Sequence, residues 1–204
     1  MVYIYRTLSK KPLQPSVDID EQLLLLIANG DQPAMRQFYD RQVELVYSTC
    51  LHFLQNVQEA EETTQDVFVE VFQKAASFNA ESKVTTWLYR IAANKSLDVI
   101  RKRKAKRKLS IVYSIFSKET DQGVSANFHP LELLENKELS LELLAAINQL
   151  NDRQKTAFIL RFMEHQSQKE IALVMECSEK SVESLIQRAK AQLKKILEHR
   201  RNND

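Results

Sequence analysis

Apolar and polar positions along the chain repeat with a helical period, not a strand period. Between Glu179 and Glu198 the apolar residues are Val182, Leu185, Ile186, Ala189, Leu193 and Ile196. That i, i+3, i+4, i+7 series lines one face of a helix. Upstream, Ser167-Gln168-Lys169-Glu170 has the spacing of a capping box and starts a short helix over Ile171 to Met175. The turn Glu176-Cys177-Ser178 joins the two, so a short helix, a tight turn and a longer basic helix follow in helix-turn-helix order. Before them, Asn151 and Gln154 form a second box that opens a helix to about Glu164, with Ala157, Phe158 and Phe162 inward. Leu131 to Leu150 reads as a leucine-rich amphipathic helix.

The first half carries four more helical patterns. Asp18 caps one that Asn29-Gly30 ends. Pro33 sits in the first turn of a second, where its missing N–H costs little. That helix runs to about Asn56 with Phe38, Leu45, Val46, Leu51 and Leu54 on its apolar side. A third, from about Val57 to Ser77, has Ala60, Thr64, Val67, Phe68, Val71, Phe72 and Ala75 as its stripe. Glu61, Glu62, Gln65, Asp66, Glu70 and Gln73 lie on its other faces, and taken alone they read most plainly as a solvated acidic surface. The fourth lies within Asn79 to Lys108. Trp87, Leu88, Ile91, Ala92 and Val99 share its buried side, while Lys83, Arg90, Asn94 and Arg101 stack along another stripe.

Glycine occurs only at Gly30 and Gly123 and proline four times, so little punctuates the chain as strands and turns would. The predicted fold is all-α: two small helical domains joined by a flexible linker, the C-terminal one containing the helix-turn-helix. The expected boundaries are a loose arm over 1–17, a helical domain over 18–108, a linker over 109–131 and a second domain over 132–204. The linker stretch is rich in Ser, Thr, Asp and Asn, yet holds Ile111, Val112, Tyr113, Ile115 and Phe116, which suit packing on a domain or threading into a partner.

Charge changes this picture. The net charge of +2 conceals twelve acidic against three basic residues over 18–82, a net −9, and ten basic residues against Asp98 over 83–108, a net +9. Residues 151–204 hold eleven basic and eight acidic side chains, a net +3. Arg101 to Lys108 alone has seven positive charges, with only Ala105 neutral. Such polarity implies one polyanionic partner and one of another kind. Cys50 and Cys177 lack ligand or CxxC spacing, so neither a disulfide framework nor a metal site is expected. His52, His129, His165 and His199 are scattered and no glycine-rich phosphate loop is present, so no catalytic residue, cofactor or small-molecule substrate is expected either. No apolar run approaches the ~20 residues of a membrane span, and the N-terminus lacks a signal-peptide pattern. A soluble, cytoplasmic protein is the expectation.

Two stretches suit nucleic acid. In the second helix of a helix-turn-helix, the N-terminal part enters the major groove and reads base edges, while flanking cations hold phosphates. Lys180, Ser181, Glu183, Ser184, Gln187, Arg188 and Lys190 lie outside its apolar stripe. Ser181, Glu183, Ser184 and Gln187 are the candidate readers; Arg188, Lys190 and Lys194 are the candidate phosphate clamps. In the 83–108 element, Thr85, Thr86, Trp87 and Tyr89 sit among cations, as where unpaired bases stack beside a phosphate track. Plain core packing is the competing reading of Trp87.

Three stretches together resemble the extracytoplasmic-function (ECF, group IV) sigma factors of the sigma-70 family. Glu61-Glu62-Thr63-Thr64-Gln65-Asp66-Val67-Phe68-Val69-Glu70-Val71-Phe72 is similar to the family's core-polymerase-binding helix. Thr86-Trp87-Leu88-Tyr89-Arg90-Ile91-Ala92-Ala93-Asn94-Lys95, then Leu97-Asp98 and the basic run, resembles its −10 and melting segment. Leu150 to Lys195, with Arg153-Gln154, Ile171-Ala172 and Ser181-Val182 to Arg188-Ala189-Lys190, resembles its −35 domain.

The resemblance implies a subunit that brings core RNA polymerase to promoters and assists melting, with all chemistry left to the polymerase. It implies contact with the polymerase's largest subunit through Glu62, Gln65, Asp66, Val69, Glu70 and Gln73, and with its second-largest subunit as well. It makes the loop 78–85, with Asn79, Ser82 and Lys83, a candidate to capture a flipped −10 base, a step that costs a few kcal/mol of unstacking. Thr85, Thr86, Trp87, Arg90, Asn94, Lys95, Arg101, Lys102 and Arg103 become −10 and melting candidates, and an anti-sigma factor an expected partner.

Three positions depart from the family. Glu183 and Leu185 stand where many members are basic, and Asn151 where proline is frequent. A stand-alone helix-turn-helix regulator would account for residues 140–200. It would leave the Trp87 helix and the acidic helix without a role.

Overall fold

A computed structural model describes residues 18–116 and 137–201. Every regular element among them is helical: α1 (Ile19–Ala28), α2 (Gln32–Leu54), α3 (Val57–Lys74), α4 (Val84–Phe116), α5 (Lys137–Ile147), α6 (Asp152–Phe162), α7 (Gln168–Val174) and α8 (Glu179–Arg201). A 3-10 turn, Ala75–Ser77, extends α3. No described helix is long and apolar enough to cross a membrane.

The starts of these helices follow from side chains that take up orphan backbone donors. Asp18 accepts from the Asp20 N–H at 3.1 Å and Asp31 from Ala34 at 2.8 Å. Asn56 accepts from Glu59 at 2.9 Å, and Asn151 and Ser167 each close a reciprocal capping box. The α2–α3 corner turns on Gln55, whose φ of 53° is left-handed and whose N–H donates to Leu51 O at 2.8 Å.

Helices α1–α4 pack around Phe38, Val46, Phe53, Leu54, Val67 and Leu88, all fully buried. A polar pin holds α1 to α2: buried Asp20 accepts from Arg41 Nε at 2.6 Å and from Gln42 Nε2 at 2.7 Å. A second apolar cluster, Ala157, Leu160, Ile171, Ala172, Val174, Val182, Leu185 and Ile186, is the interior of the helix-turn-helix. Tyr89 of α4 belongs to this cluster as well, and the main core itself continues into Ala146, Ile147, Leu150, Ile159, Ala189 and Leu193, so the two helical groups share apolar contact.

Three expectations change. Helix α4 continues past Lys108 to Phe116, so the first residues of the expected linker are helical; residues 117–131 lie outside the described ones, as does the arm 1–17. The first part of the expected leucine-rich helix, residues 131–136, lies outside the described residues. Phe72, placed in the apolar stripe of α3 by its spacing, is 48 % exposed because it turns toward Met35 and Tyr39 of α2 and away from the core. Thr86 and Tyr89, named with Thr85 and Trp87 as residues among cations that suit unpaired bases, are buried.

Candidate nucleic-acid interface

The entry to α4 is built by an irregular loop. Ala80 holds a left-handed φ of 55°, uncommon for a residue with a Cβ, and Asn79 Oδ1 accepts weakly from Glu81 N–H at 3.4 Å. Phe78 meets Trp87 edge-on, with ring centroids 5.6 Å apart, and fixes the loop on the helix. Trp87 is half-buried and packs against the core, so the core-packing reading of this residue is realised on that side. Asn79 and Lys83 are exposed; Ser82 and Thr85 are half-buried.

The cations of the α4 stripe are ion-paired to the C-terminal helices, although Lys83 and Arg101 remain 72 % and 57 % exposed. Lys83 Nζ donates to Glu170 Oε1 at 2.9 Å. Arg90 donates to Glu176 Oε1 at 2.7 Å and to Leu173 O at 2.6 Å. Arg101 Nε donates to Asp152 Oδ2 at 2.9 Å, and its Nη1 to Asp98 at 3.0 Å. All three outside carboxylates belong to α6, α7 and the turn after α7. Asn94 stays exposed, lining a cleft with Arg90, Arg101 and Arg153. Lys95 pairs with Glu70 of α3 at 2.9 Å, Arg103 with Glu59 at 3.1 Å, and Lys102 is exposed.

Glu170 serves two roles through its two oxygens: Oε2 closes the Ser167 capping box while Oε1 receives Lys83. Those bonds, Lys83 first and Ser167 next, hold its carboxyl down to about 2. The capping box is visible in the sequence as a local signal; its second use is not.

Further polar bonds join α2, the corner after it and α4 to the C-terminal part of the chain. Lys155, 3 % exposed, donates to Phe53 O at 2.8 Å and to Asn148 Oδ1 at 2.7 Å. Gln55 Nε2 donates to Leu144 O at 3.3 Å, and Asn148 Nδ2 to Gln55 Oε1 at 2.6 Å. His52 Nδ1 lies 2.6 Å from Glu164 Oε1, and Gln166 Nε2 donates to the Tyr89 hydroxyl at 3.2 Å. No periodicity flags Lys155, because a lysine on an apolar face looks like a helix register error until its acceptors are seen.

Burial, reinforced by Arg103 and Lys104 and opposed by Asp152, lowers the Lys155 amine from 10.5 to about 7. Unfolding returns the amine to its ordinary value, so between those limits the unfolded chain holds more protons and stability rises with pH. Burial pushes the Cys50 thiol up to about 11, which opposes this only above its ordinary value of 9. The denaturation midpoint is therefore expected to rise from pH 7 to 9 in the wild type, with a flatter slope in Lys155→Met. Equal slopes in the two chains would contradict the assignment.

The outer face of α8 is open. Lys180, Glu183, Ser184, Gln187, Arg188 and Lys190 are exposed and Ser181 is half-buried. Lys190 Nζ stands 4.8 Å over the Phe162 ring, and Arg188 Nε donates to Ser184 O at 3.1 Å. Glu183 meets only Gln187, at a long 3.5 Å. Leu185 is buried and therefore structural.

On α3, Glu62, Gln65, Asp66, Val69 and Gln73 are exposed and Glu70 half-buried. Burial alone would raise the Glu70 carboxyl, but bonds from Lys74 and Lys95 outweigh it and keep it low. Beside Gln65, Val69 and Gln73 runs an apolar groove that sequence reading missed, lined by Met35, Tyr39, Phe68 and Phe72. Its α2 side carried no signal, since single exposed apolar residues are common on any surface.

Comparison with known proteins matches residues 38–106 to sigma-70 region 2 and residues 140–193 to sigma-70 region 4. The chain is 31% identical over 173 residues to the ECF RNA polymerase sigma factor SigW of Bacillus subtilis, covering 84% of this chain and 92% of that one. It is 28% identical over 181 residues to the RNA polymerase sigma-H factor of Pseudomonas aeruginosa, covering 88% and 94%. Among solved structures, CnrH in complex with the cytosolic domain of CnrY aligns with a TM-score of 0.62 at 24% identity, over 89% of this chain and 99% of that one. RpoE in complex with the anti-sigma factor NepR from Bartonella quintana aligns with a TM-score of 0.60 at 21% identity, over 80% and 96%. Those two likenesses establish the fold, and the SigW match, spanning 84% of this chain and 92% of that one, establishes the family: this chain belongs to the ECF RNA polymerase sigma factors of the sigma-70 family.

Proposed function

We propose that this chain is a group IV promoter-specificity subunit that works where the polymerase and chromosome are, in the cytoplasm. Residues 18–108 act as the region 2-like domain. They dock on core polymerase through Glu62, Gln65, Asp66, Val69, Glu70 and Gln73 of α3. They take the −10 strand on the loop bearing Asn79, Ser82 and Lys83 and on the α4 residues Thr85, Trp87, Arg90, Asn94, Lys95, Arg101, Lys102 and Arg103. Thr86 supports the first turn of α4 from inside. Residues 132–204 act as the region 4-like domain and read the −35 element with α8. An anti-sigma factor controls the protein, as the class to which it belongs suggests.

The observation that carries this reading is the coexistence of three surfaces in one chain. An exposed apolar groove edged by amides on α3, a cationic stripe on α4 and an open polar face on α8 have no common use in a stand-alone regulator. The test is DNA binding by the protein with and without core polymerase. Sequence-specific promoter binding is expected only with the core, and tight specific duplex binding by the protein alone would favour the regulator.

Glu183 is proposed to accept a hydrogen bond from a cytosine amino group, because its carboxylate is exposed and held only by a long contact to Gln187. Glu183→Ala is expected to relax preference at one −35 position by about 1 kcal/mol or more, at the low end of a direct base contact. Unchanged preference at every −35 position would refute it.

A further inference from the structure

Lys155 is a cationic side chain whose bonding partners carry no opposite charge. It stands in the first turn of α6, 3 % exposed, and its amine donates to Phe53 O at 2.8 Å and to Asn148 Oδ1 at 2.7 Å. Phe53 O is among the last carbonyls of α2, which lack partners within the helix and draw positive charge. Arg103 of α4 reaches the same helix end, its Nη2 donating to Leu54 O at 3.4 Å, and Lys104 is its neighbour in sequence. Two carboxylates of the surrounding helices are engaged with other cations. Asp152 of α6 takes Arg101 at 2.9 Å, and Glu59 of α3 takes Arg103 at 3.1 Å.

The bonds of this amine span two parts of the chain. Phe53 lies in the segment matched to sigma-70 region 2, while Lys155 and Asn148 lie in the segment matched to region 4. The amine is therefore dry only while the two parts are joined, and parting returns both it and Phe53 O to water. We infer that Lys155 is a proton-controlled latch between the end of α2 and α6: loss of its proton seats the two parts together, and regaining it loosens them. This goes beyond the promoter reading and holds whichever surface meets DNA.

In the joined form, burial and the neighbouring Arg103 and Lys104, opposed by Asp152, bring the amine from 10.5 to about 7. Parting restores its ordinary value, so parting takes up a proton between those limits. The joined-to-parted ratio then climbs by up to about tenfold for each pH unit in that interval. Below it both forms carry the proton and the dependence vanishes. A second titratable contact spans the same two parts and acts in the other direction. His52 Nδ1 of α2 lies 2.6 Å from Glu164 Oε1, so a proton on the imidazole strengthens that contact.

The experiment is competitive acetylation of the full-length protein with trace acetic anhydride, read residue by residue by mass spectrometry. Exposed Lys169 and Lys180 serve as internal references. Their labelling rises about tenfold per pH unit, because only the free amine reacts. Lys155 reacts only while the two parts are apart, and its free, accessible fraction levels off once the joined form has lost its proton. A parallel thiol reagent reports on Cys50, which is fully buried among the N-terminal helices and becomes reachable only when they unfold. His52→Gln removes the opposing titratable contact.

The labelling of Lys155 relative to the references is expected to fall by about tenfold or more from about pH 7 to pH 9. Cys50 is expected to stay unmodified over the interval in which Lys155 reacts. The same fall is expected in His52→Gln, with more labelling of Lys155 at each pH. A ratio that stays constant across this range would overturn the latch, and so would a fall that disappears in His52→Gln. Cys50 modified as fast as Lys155 would also overturn it, since the amine would then be reached by unfolding and not by parting. Core-dependent promoter binding tests the sigma reading separately, and neither result decides the other.

Discussion

Val69→Asp combined with Phe72→Asp is expected to weaken binding to core polymerase about a hundredfold, the effect of losing two apolar anchors at about 2 kcal/mol or less each. Both side chains are already in water, 56 % and 48 % exposed, so the folded monomer loses little when they change. The loss falls on the complex. The groove between α2 and α3 offers Met35, Tyr39 and Phe68 as an apolar floor, with Gln65 and Gln73 as polar edges. Two carboxylates in its centre would have to be desolvated without partners on binding. Leu25→Asp, on a leucine of α1 that is 64 % exposed, is the control. Co-elution or anisotropy with labelled protein reads the effect, and equal affinities for the groove variant and the Leu25 variant would place the docking face elsewhere.

Phe38→Ala shows the opposite split. Its side chain is fully buried at the centre of α1–α4, so truncation removes transfer energy and leaves a cavity, together about 3–5 kcal/mol. Against a total of about 5–15 kcal/mol, that brings the N-terminal helices close to their unfolding threshold. A fall in Tm of about 10 °C is expected by circular dichroism. A melting curve matching wild type would mean that the core does not depend on this ring. Two phenylalanines about nine helical turns apart in sequence thus predict different phenotypes, one in stability and one in association.

That contrast also marks what the sequence could tell. Helix boundaries were legible because they depend on local chemistry: Asp18, Asn151 and Ser167 cap the helices that their spacing announces. The buried stripe of α8 was legible for the same reason. Phe72 was misplaced because a stripe wide enough to hold it also borders solvent, and only the position of α2 decides which side it takes. Thr86 is buried although its neighbours Lys83 and Thr85 are exposed and half-buried, a difference that residue type does not encode.

Of the candidate readers on α8, Glu183, Ser184 and Gln187 lie on an exposed face and Ser181 is half-buried. The cationic stripe of α4 was found as a stripe, but its partners were not. Glu170, Glu176 and Asp152 are 51 to 87 residues distant from the cations they meet, and no periodicity encodes a contact at that separation. Lys155 was invisible for a related reason: its acceptors, Phe53 O and Asn148 Oδ1, come from a backbone carbonyl and a turn amide that carry no pattern of their own.

The most direct measurement is run-off transcription with purified core polymerase, with and without this protein, on a library of genomic fragments. New transcripts whose starts share a pair of upstream motifs are the predicted result, and they would yield the promoter consensus in the same experiment. No new starts with core polymerase, alongside tight sequence-specific duplex binding by the protein alone, would contradict the account.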